Sequence, residues 1–355
     1  MDRIASTVSV LALLAASGLA LGQVTDGVTT EEAAPSDRAG WLALGDALFT
    51  PVDIDALTGD TGNLGVEFAF GYYWITHNGD FVTGTQVLNQ YDTDWNLVES
   101  YLQLTNSPSW GQRDGASIEA ENRLFFGAEA GELCEYVFDP STQRLDLTAS
   151  QILSSGALGT VRALAWDTDR NQFYTKDFGG TIQILDRDGF LLDLAAADPS
   201  AYGAGYDAVN GTLWLNAYID TALGTTAPNT KLVEWDPDTR ALTGREFDSV
   251  GSAPPGTTYH IPGGLDIATD GDCTYAVAMN QGGPVDFVSF WEIAGDCSGG
   301  GCRVDLDGDG SLTIFDFLEF QNLFDSGDLA ADFDGDGSLT LFDFLAFQNE
   351  FDAGC

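Results

Sequence analysis

The sequence predicts a mainly β protein, a ring of small antiparallel sheets, followed by a small all-α domain. Three observations carry this: apolar strand-like runs recur with a period near fifty residues, 42 glycines are spread through turn-rich sequence, and two near-identical acidic loops close the chain, each leading into a helix-like run. Glycine at that density argues against an all-α chain. With 355 residues, 44% hydrophobic and 12% aromatic, there is enough apolar content for a folded core and enough length for more than one domain. Fifty-five acids against thirteen Lys and Arg give a net charge of -42, so no surface is available to neutralise a nucleic-acid backbone.

The chain begins with Arg3 and an apolar run over 4–21, ending in the small-residue site Ala20, Leu21, Gly22 before Gln23. This pattern predicts a signal peptide over 1–22. Ser6, Thr7, Ser9 and Ser17 interrupt the run, which is only of minimal spanning length, so cleavage is favoured over a membrane anchor. No later segment has the length of a membrane span. The mature chain is therefore expected to be secreted or on the cell surface, where disulfides persist. Residues 23–40 are polar and read as a loose leader.

The ring occupies 41–296. Here an apolar strand ends in an apolar or aromatic residue followed by an acid: Tyr91-Asp92, Phe138-Asp139, Leu185-Asp186, Trp235-Asp236 and Trp291-Glu292. Successive acids lie 47, 47, 50 and 56 residues apart. In phase with them run YYWIT (72–76), LFFGA (124–128), QFYTK (172–176), TLWLN (212–216) and TYAVA (274–278), which read as second strands. A strand-rich period in the forties is the mark of a β-propeller, whose blades have two apolar faces each and stack radially to bury them. Five blades are legible, and residues 41–61 supply either a closing strand or part of a sixth. An all-β sandwich would leave the shared period unexplained. With blades such as RALAWDTDRNQFYTKDFGGTIQILDRDG (162–189), the chain resembles secreted bacterial β-propellers over most of 62–296. That resemblance implies a fold and no substrate.

A Gly/Ser linker over 297–301 separates this domain from 302–355. Five cysteines are present, and the preferred bridges are Cys273–Cys297 near the end of the propeller and Cys302–Cys355 around the terminal domain. Cys134 lies in a strand-like run and reads as a small buried residue.

Residues 305–316 (DLDGDGSLTIFD) and 332–343 (DFDGDGSLTLFD) place oxygens at the spacing of a calcium loop. The first set is Asp305, Asp307, Asp309, Ser311, Thr313 and Asp316, with Gly310 at the turn; the second is Asp332, Asp334, Asp336, Ser338, Thr340 and Asp343, with Gly337. Four carboxylates in one loop repel one another unless a cation is present, so two Ca2+ ions are expected. Over 305–325 and 332–352 the copies agree at 17 of 21 positions, an internal duplication. Neither loop has an incoming helix, and both carry Asp where an EF-hand expects Glu. Paired loops of this form resemble the dockerin family, and the terminal Gly354-Cys355 resembles its GC-type members. The resemblance implies docking to a receptor module, typically a cohesin, through residues at the loop ends: here Ile314, Phe315, Leu341 and Phe342. Those positions often carry small hydroxyl residues in dockerins, so the bulky apolar groups point away from an ordinary cohesin. Nine of the 22 phenylalanines fall in this domain, more than two short helices are expected to bury.

Catalytic signals are weak. Glu67, Glu119, Asp167 and Asp207 recur near the ends of first strands, with Asp266 two positions out of phase. As a ring around the channel they would suit a metal or the paired-acid chemistry of a glycosidase. Asp167 and Asp207 also open turns, the reading preferred here. His77 and His260 have no partner visible in the sequence, and no nucleophile elbow, phosphate loop or zinc-protease helix is found. The expectation is a binding or structural propeller anchored by a calcium docking module; the alternative is a secreted hydrolase, acting on polysaccharide, with the same anchor.

Overall fold

The structure, a computed structural model, describes residues 44–353 apart from 60, 79–84, 107–109, 155–158, 197–198, 220–228, 251–252, 255, 258, 272, 284, 296, 298–303, 305, 307–311, 328, 332 and 334–338. The signal-peptide and leader segments and the Cys302–Cys355 bridge lie outside the described residues, as do most of the two acidic loops. The chain enters through β1 (Val52–Asp53) and α1 (Ile54–Thr58). Five four-stranded antiparallel sheets follow. Blade 1 is β2 (Asn63–Ala69), β3 (Tyr72–His77), β4 (Val87–Tyr91) and β5 (Leu97–Leu102). Blade 2 is β6 (Gln112–Ile118), β7 (Arg123–Ala128), β8 (Glu132–Asp139) and β9 (Arg144–Ser154). Blade 3 is β10 (Ala163–Asp167), β11 (Gln172–Lys176), β12 (Ile182–Leu185) and β13 (Leu191–Ala195). Blade 4 is β14 (Ala201–Asp207), β15 (Thr212–Tyr218), β16 (Thr230–Asp236) and β17 (Ala241–Asp248). Blade 5 has only β18 (Tyr259–Asp270), β19 (Cys273–Gly283) and β20 (Phe287–Ala294) from its own stretch. Its fourth strand is β1, paired as Val52 to Val288 and Asp53 to Phe287.

The fold is thus a five-bladed β-propeller, closed by a strand from before blade 1 and with no sixth blade among the described residues. Each second-strand marker falls on β3, β7, β11, β15 or β19, and each apolar-acid pair falls at or near the end of a third strand. The acids recur for a local reason. Asp92, Asp139, Asp186 and Asp236 each accept a hydrogen bond from the backbone amide two residues on, at 2.8–3.0 Å, so the side chain closes the turn into the outermost strand. Blade 5 makes no such turn, because its outer strand comes from elsewhere in the chain. Glu292 stands there instead, and its amide donates to the Asp46 carbonyl at 2.9 Å.

Five apolar clusters fill the five blade junctions. Leu88 and Trp74 of blade 1 meet Leu124 and Tyr136 of blade 2, and Phe125 of blade 2 meets Trp166 and Phe173 of blade 3. Tyr174 meets Trp235 across blades 3 and 4, Trp214 meets Trp291 across 4 and 5, and Phe290 meets Tyr73 across 5 and 1. The Cys273–Cys297 disulfide joins the start of β19 to the chain just after β20.

At the axis the inner strands touch backbone to backbone. A Cβ on Gly65 would overlap the Arg113 carbonyl oxygen, and one on Gly264 would stand 2.5 Å from Asp114 Oδ1. Strands β2, β6, β14 and β18 each carry a register shift near this end, which re-aims backbone groups toward the centre. Into that centre reaches Asp114 of β6, fully buried. Its Oδ2 accepts from Leu164 N of blade 3 at 2.9 Å and Ala204 N of blade 4 at 2.7 Å, and its Oδ1 from Leu265 N of blade 5 at 2.9 Å. Burial pushes its carboxyl well above the usual range while these amides and that of Gly115 pull it back.

The C-terminal part holds α2 (Ile314–Ser326), a short 3-10 turn (Leu329–Ala331) and α3 (Leu341–Ala353). Its core is built from Val304, Phe320, Ala331, Phe333 and Phe347. Phe320 and Phe347, equivalent positions of the duplication, stack at 4.3 Å between ring centroids. Thr313 and Asp316 form a capping box that starts α2.

Replacing Asp114 by Ala leaves three amides of three different blades without an acceptor, a loss of about 3–5 kcal/mol. Urea denaturation followed by the strand circular-dichroism signal measures it; unchanged stability would mean that blade packing alone holds the axis.

Candidate functional site

Of the five carboxylates weighed as a channel ring, Asp167 and Asp207 instead close turns, the reading preferred from the sequence. Asp167 ends β10, where its Oδ1 accepts from the amides of Asp169 and Arg170 and its Oδ2 pairs with Arg170 at 2.9 Å. Asp207 ends β14 in the same way, bonding the amides of Val209 and Asn210 at 3.0 Å and the Asn210 side chain at 2.7 Å. Both close hairpins. Glu119 lies beyond β6 in a 3-10 turn, exposed, and accepts from the Phe70 amide at 2.6 Å. His77 and His260 are buried, the first against Asn63 Oδ1 at 3.2 Å and the second against Thr230 Oγ1 at 3.3 Å. Burial pulls His260 down to about 4. Buried Cys134 has its thiol pushed up to about 12 and supplies no thiolate at neutral pH.

Glu67 and Asp266 remain, and the fold brings them together. They line a cavity of about 180 Å³ at the end of the channel, with Ser117, Trp166 and Tyr206. Asp266, the acid that stood out of phase, is held by the Phe68 amide at 3.1 Å and by that of Ile267 at 2.7 Å. Burial pushes Asp266 up to about 6. It also raises Glu67 well above the usual range, with the charges of Asp266 and Asp114 adding to the effect. Two carboxyls raised by the same enclosure keep their protons to higher pH than exposed acids do. Sequence reasoning missed Asp114; it sits beside Gln112 and Arg113 in the strand Gln112–Ile118, where nothing in the local pattern sets it apart.

A second arrangement lies on the helix pair. Ile314 is 62% exposed, Phe315 63%, Leu341 68% and Phe342 67%. Leu318 and Leu345, one helical turn further on, extend the same surface. The remaining seven phenylalanines of the domain pack in its core. Two short helices do bury most of that aromatic content, because the duplicated rings stack on one another across the pair. Of the twelve expected calcium ligands, Thr313, Asp316, Thr340 and Asp343 are described; Asp305, Asp307, Asp309, Ser311, Asp332, Asp334, Asp336 and Ser338 lie outside the described residues. Asp316 and Asp343 are both fully buried, and each accepts through Oδ2 from a backbone amide, of Thr313 at 2.7 Å and of Thr340 at 2.6 Å.

No protein-family model matches the chain, and no curated protein sequence does. Among solved structures it is similar to a nidogen/laminin complex (TM-score 0.40, 14% identity, 61% of this chain and 74% of that one). It is also similar to Kuenenia stuttgartiensis hydrazine synthase (TM-score 0.38, 10% identity, 61% and 56%) and to the WD40 β-propeller domain of Doa1 (TM-score 0.38, 14% identity, 64% and 62%). None of these likenesses carries an activity to this chain.

The raised carboxyls set a pH dependence. A carboxyl whose folded pKa exceeds its unfolded one binds more protons in the native state, so stability falls as pH rises from about 4 through the folded value near 6. The exposed turn acids Asp92, Asp139 and Asp236 are lowered by hydrogen bonds and act the other way, losing their contribution only as pH falls through their folded values, below the usual carboxylate range. Thermal melts should therefore show a more stable propeller at pH 5 than at pH 7. Glu67→Gln should raise Tm at pH 7 by about 2–4 °C and flatten the slope; an unaltered slope would remove Glu67 from the titrating pair.

Proposed function

We propose that the chain is a secreted protein whose C-terminal helix pair, ordered by two calcium ions, docks the propeller onto an apolar receptor surface outside the cell. The observation that carries this reading is the apolar face of Ile314, Phe315, Leu341 and Phe342. Groups of this size are costly to leave in water, at about 1.5–3 kcal/mol each, and they are presented twice, at equivalent places, beside a core that already holds the other rings. A duplicated exposed face of that kind marks an interaction surface.

The donor chemistry fits calcium. Both loops offer only oxygen ligands, from Asp, Ser and Thr, the set a hard cation takes. Their twelfth residues, Asp316 and Asp343, are buried acids at the helix starts, where a bound cation would neutralise them. Calcium would supply the positive charge that four clustered carboxylates require. Thr313 and Thr340 link that site to the docking face, since each caps the helix whose first two residues are the exposed pair. The dockerin resemblance makes a cohesin-like module the partner class, with apolar rather than hydroxyl-based recognition.

The Glu67–Asp266 pair supports a second reading, a secreted hydrolase of polysaccharide carried by the same anchor. Its discriminating test is turnover that disappears in Glu67→Gln. For the docking reading, Phe315→Ser with Phe342→Ser should reduce calcium-dependent retention on isolated cell envelopes by about tenfold or more, with helix content and calcium uptake unchanged. Parallel loss of all three would make these side chains part of the core and defeat the proposal.

A further inference from the structure

All five inner strands contribute to the Glu67–Asp266 cavity. Glu67 comes from β2, Ser117 from β6, Trp166 from β10, Tyr206 from β14 and Asp266 from β18. Among the described residues that line it there is no Lys, Arg or His. Arg170 reaches the Tyr206 hydroxyl at 3.4 Å, but it is committed to Asp167 at 2.9 Å and to Asp238 at 2.7 Å. From outside the lining, the charge of Glu119 bears on both cavity carboxyls. The cavity is therefore an acidic one.

The protein treats its two carboxyls differently. Asp266 is held through both oxygens by backbone amides, of Ile267 at 2.7 Å and of Phe68 at 3.1 Å, which stabilise its charged form. Glu67 is only 2% exposed and meets no backbone amide; its donor among the described residues is the Ser117 hydroxyl. A carboxyl has two oxygens with about four acceptor positions, so most of Glu67's capacity is left to the cavity it lines. Burying a polar group with so few partners carries a cost that a donor on a ligand removes.

The surroundings narrow the class of ligand. A volume of about 180 Å³ suits a small group, since drug-sized ligands occupy roughly 300 Å³ and more. Carboxyls without a lining cation repel carboxylates and phosphates. No group of three or more acidic, His or Cys side chains able to hold a metal is gathered among the described residues, which disfavours a divalent ion that needs many such oxygens. Trp166 and Tyr206 supply aromatic walls, which attract organic cations. An ammonium carries three N–H donors, enough to answer Asp266 and Glu67 together.

We infer that this cavity receives a small primary ammonium group, that of an amine or an amino sugar, with Asp266 as its counter-ion, Glu67 as its further acceptor and the Trp166 and Tyr206 rings as its walls. The inference rests on the same cavity as the hydrolase reading, but it requires binding and not turnover. The test is calorimetric titration of the full chain with ethylamine and with D-glucosamine, glucose and acetate being the controls. Calcium-containing buffer at about 0.15 M KCl screens the diffuse surface charge. Saturable amine binding with Kd below about 10 mM is expected, with neither control bound. Glucosamine ahead of ethylamine would mark the amino sugar as the source. A bound cation opposes protonation of Asp266, which titrates at about 6, so affinity should be about tenfold lower at pH 5 than at pH 7. Asp266→Asn should abolish binding. Glu67→Gln, expected above to raise Tm, should weaken it by about tenfold, which keeps the test open if the Asp266 variant fails to fold. No saturable amine binding, equal binding of glucose, or unaltered affinity in Glu67→Gln would overturn the inference. Turnover of a neutral polysaccharide without amine binding would uphold the hydrolase reading and sink this one.

Discussion

Asp114 stands where the inner strands converge, and much of the propeller follows from how that point is filled. With five blades the axis is too tight for large side chains, so Gly65, Gly115, Gly203, Gly205, Gly263 and Gly264 let backbones approach one another. Close backbone contact strands amide groups away from water, and one carboxylate from blade 2 answers amides from blades 3, 4 and 5. The cost is a charge in a desolvated place, and it spreads. Glu67 feels Asp114 as well as Asp266, which adds to the burial that raises its carboxyl.

The architecture was legible in the sequence because blade stacking imposes a period. The turn acids and the second-strand runs are local requirements that each blade must meet afresh, and so they repeat. Glu292 breaks the Asp series for a structural reason, since closure by β1 removes the turn that the other four acids serve. The site was less legible. Asp167 and Asp207 cap hairpins, as their turn sequences indicated, but nothing in the sequence showed that Glu67 and Asp266, out of phase with one another, line one cavity. Asp114 does not recur from blade to blade. It acts across the ring, through contacts 50 to 151 residues apart, and a non-repeating residue leaves no periodic trace.

In the C-terminal pair the reverse holds. Duplication made the loops plain, and helical spacing alone adds Leu318 and Leu345 to the face of Ile314 and Leu341. What the spacing could not assign was the fate of nine phenylalanines, because stacking of Phe320 on Phe347 needs both helices in place. Seven rings consumed by a small core leave Phe315 and Phe342 as side chains with no internal use. A domain of this size is marginal on apolar burial alone, and the acidic loops make metal the natural supplement.

The most direct measurement is calorimetric titration of calcium into the full chain, with helix circular dichroism before and after chelation. The account predicts two ions per chain and a loss of helix signal in chelator while the strand signal of the propeller persists. Uptake near zero, or helices that are complete without calcium, would contradict it.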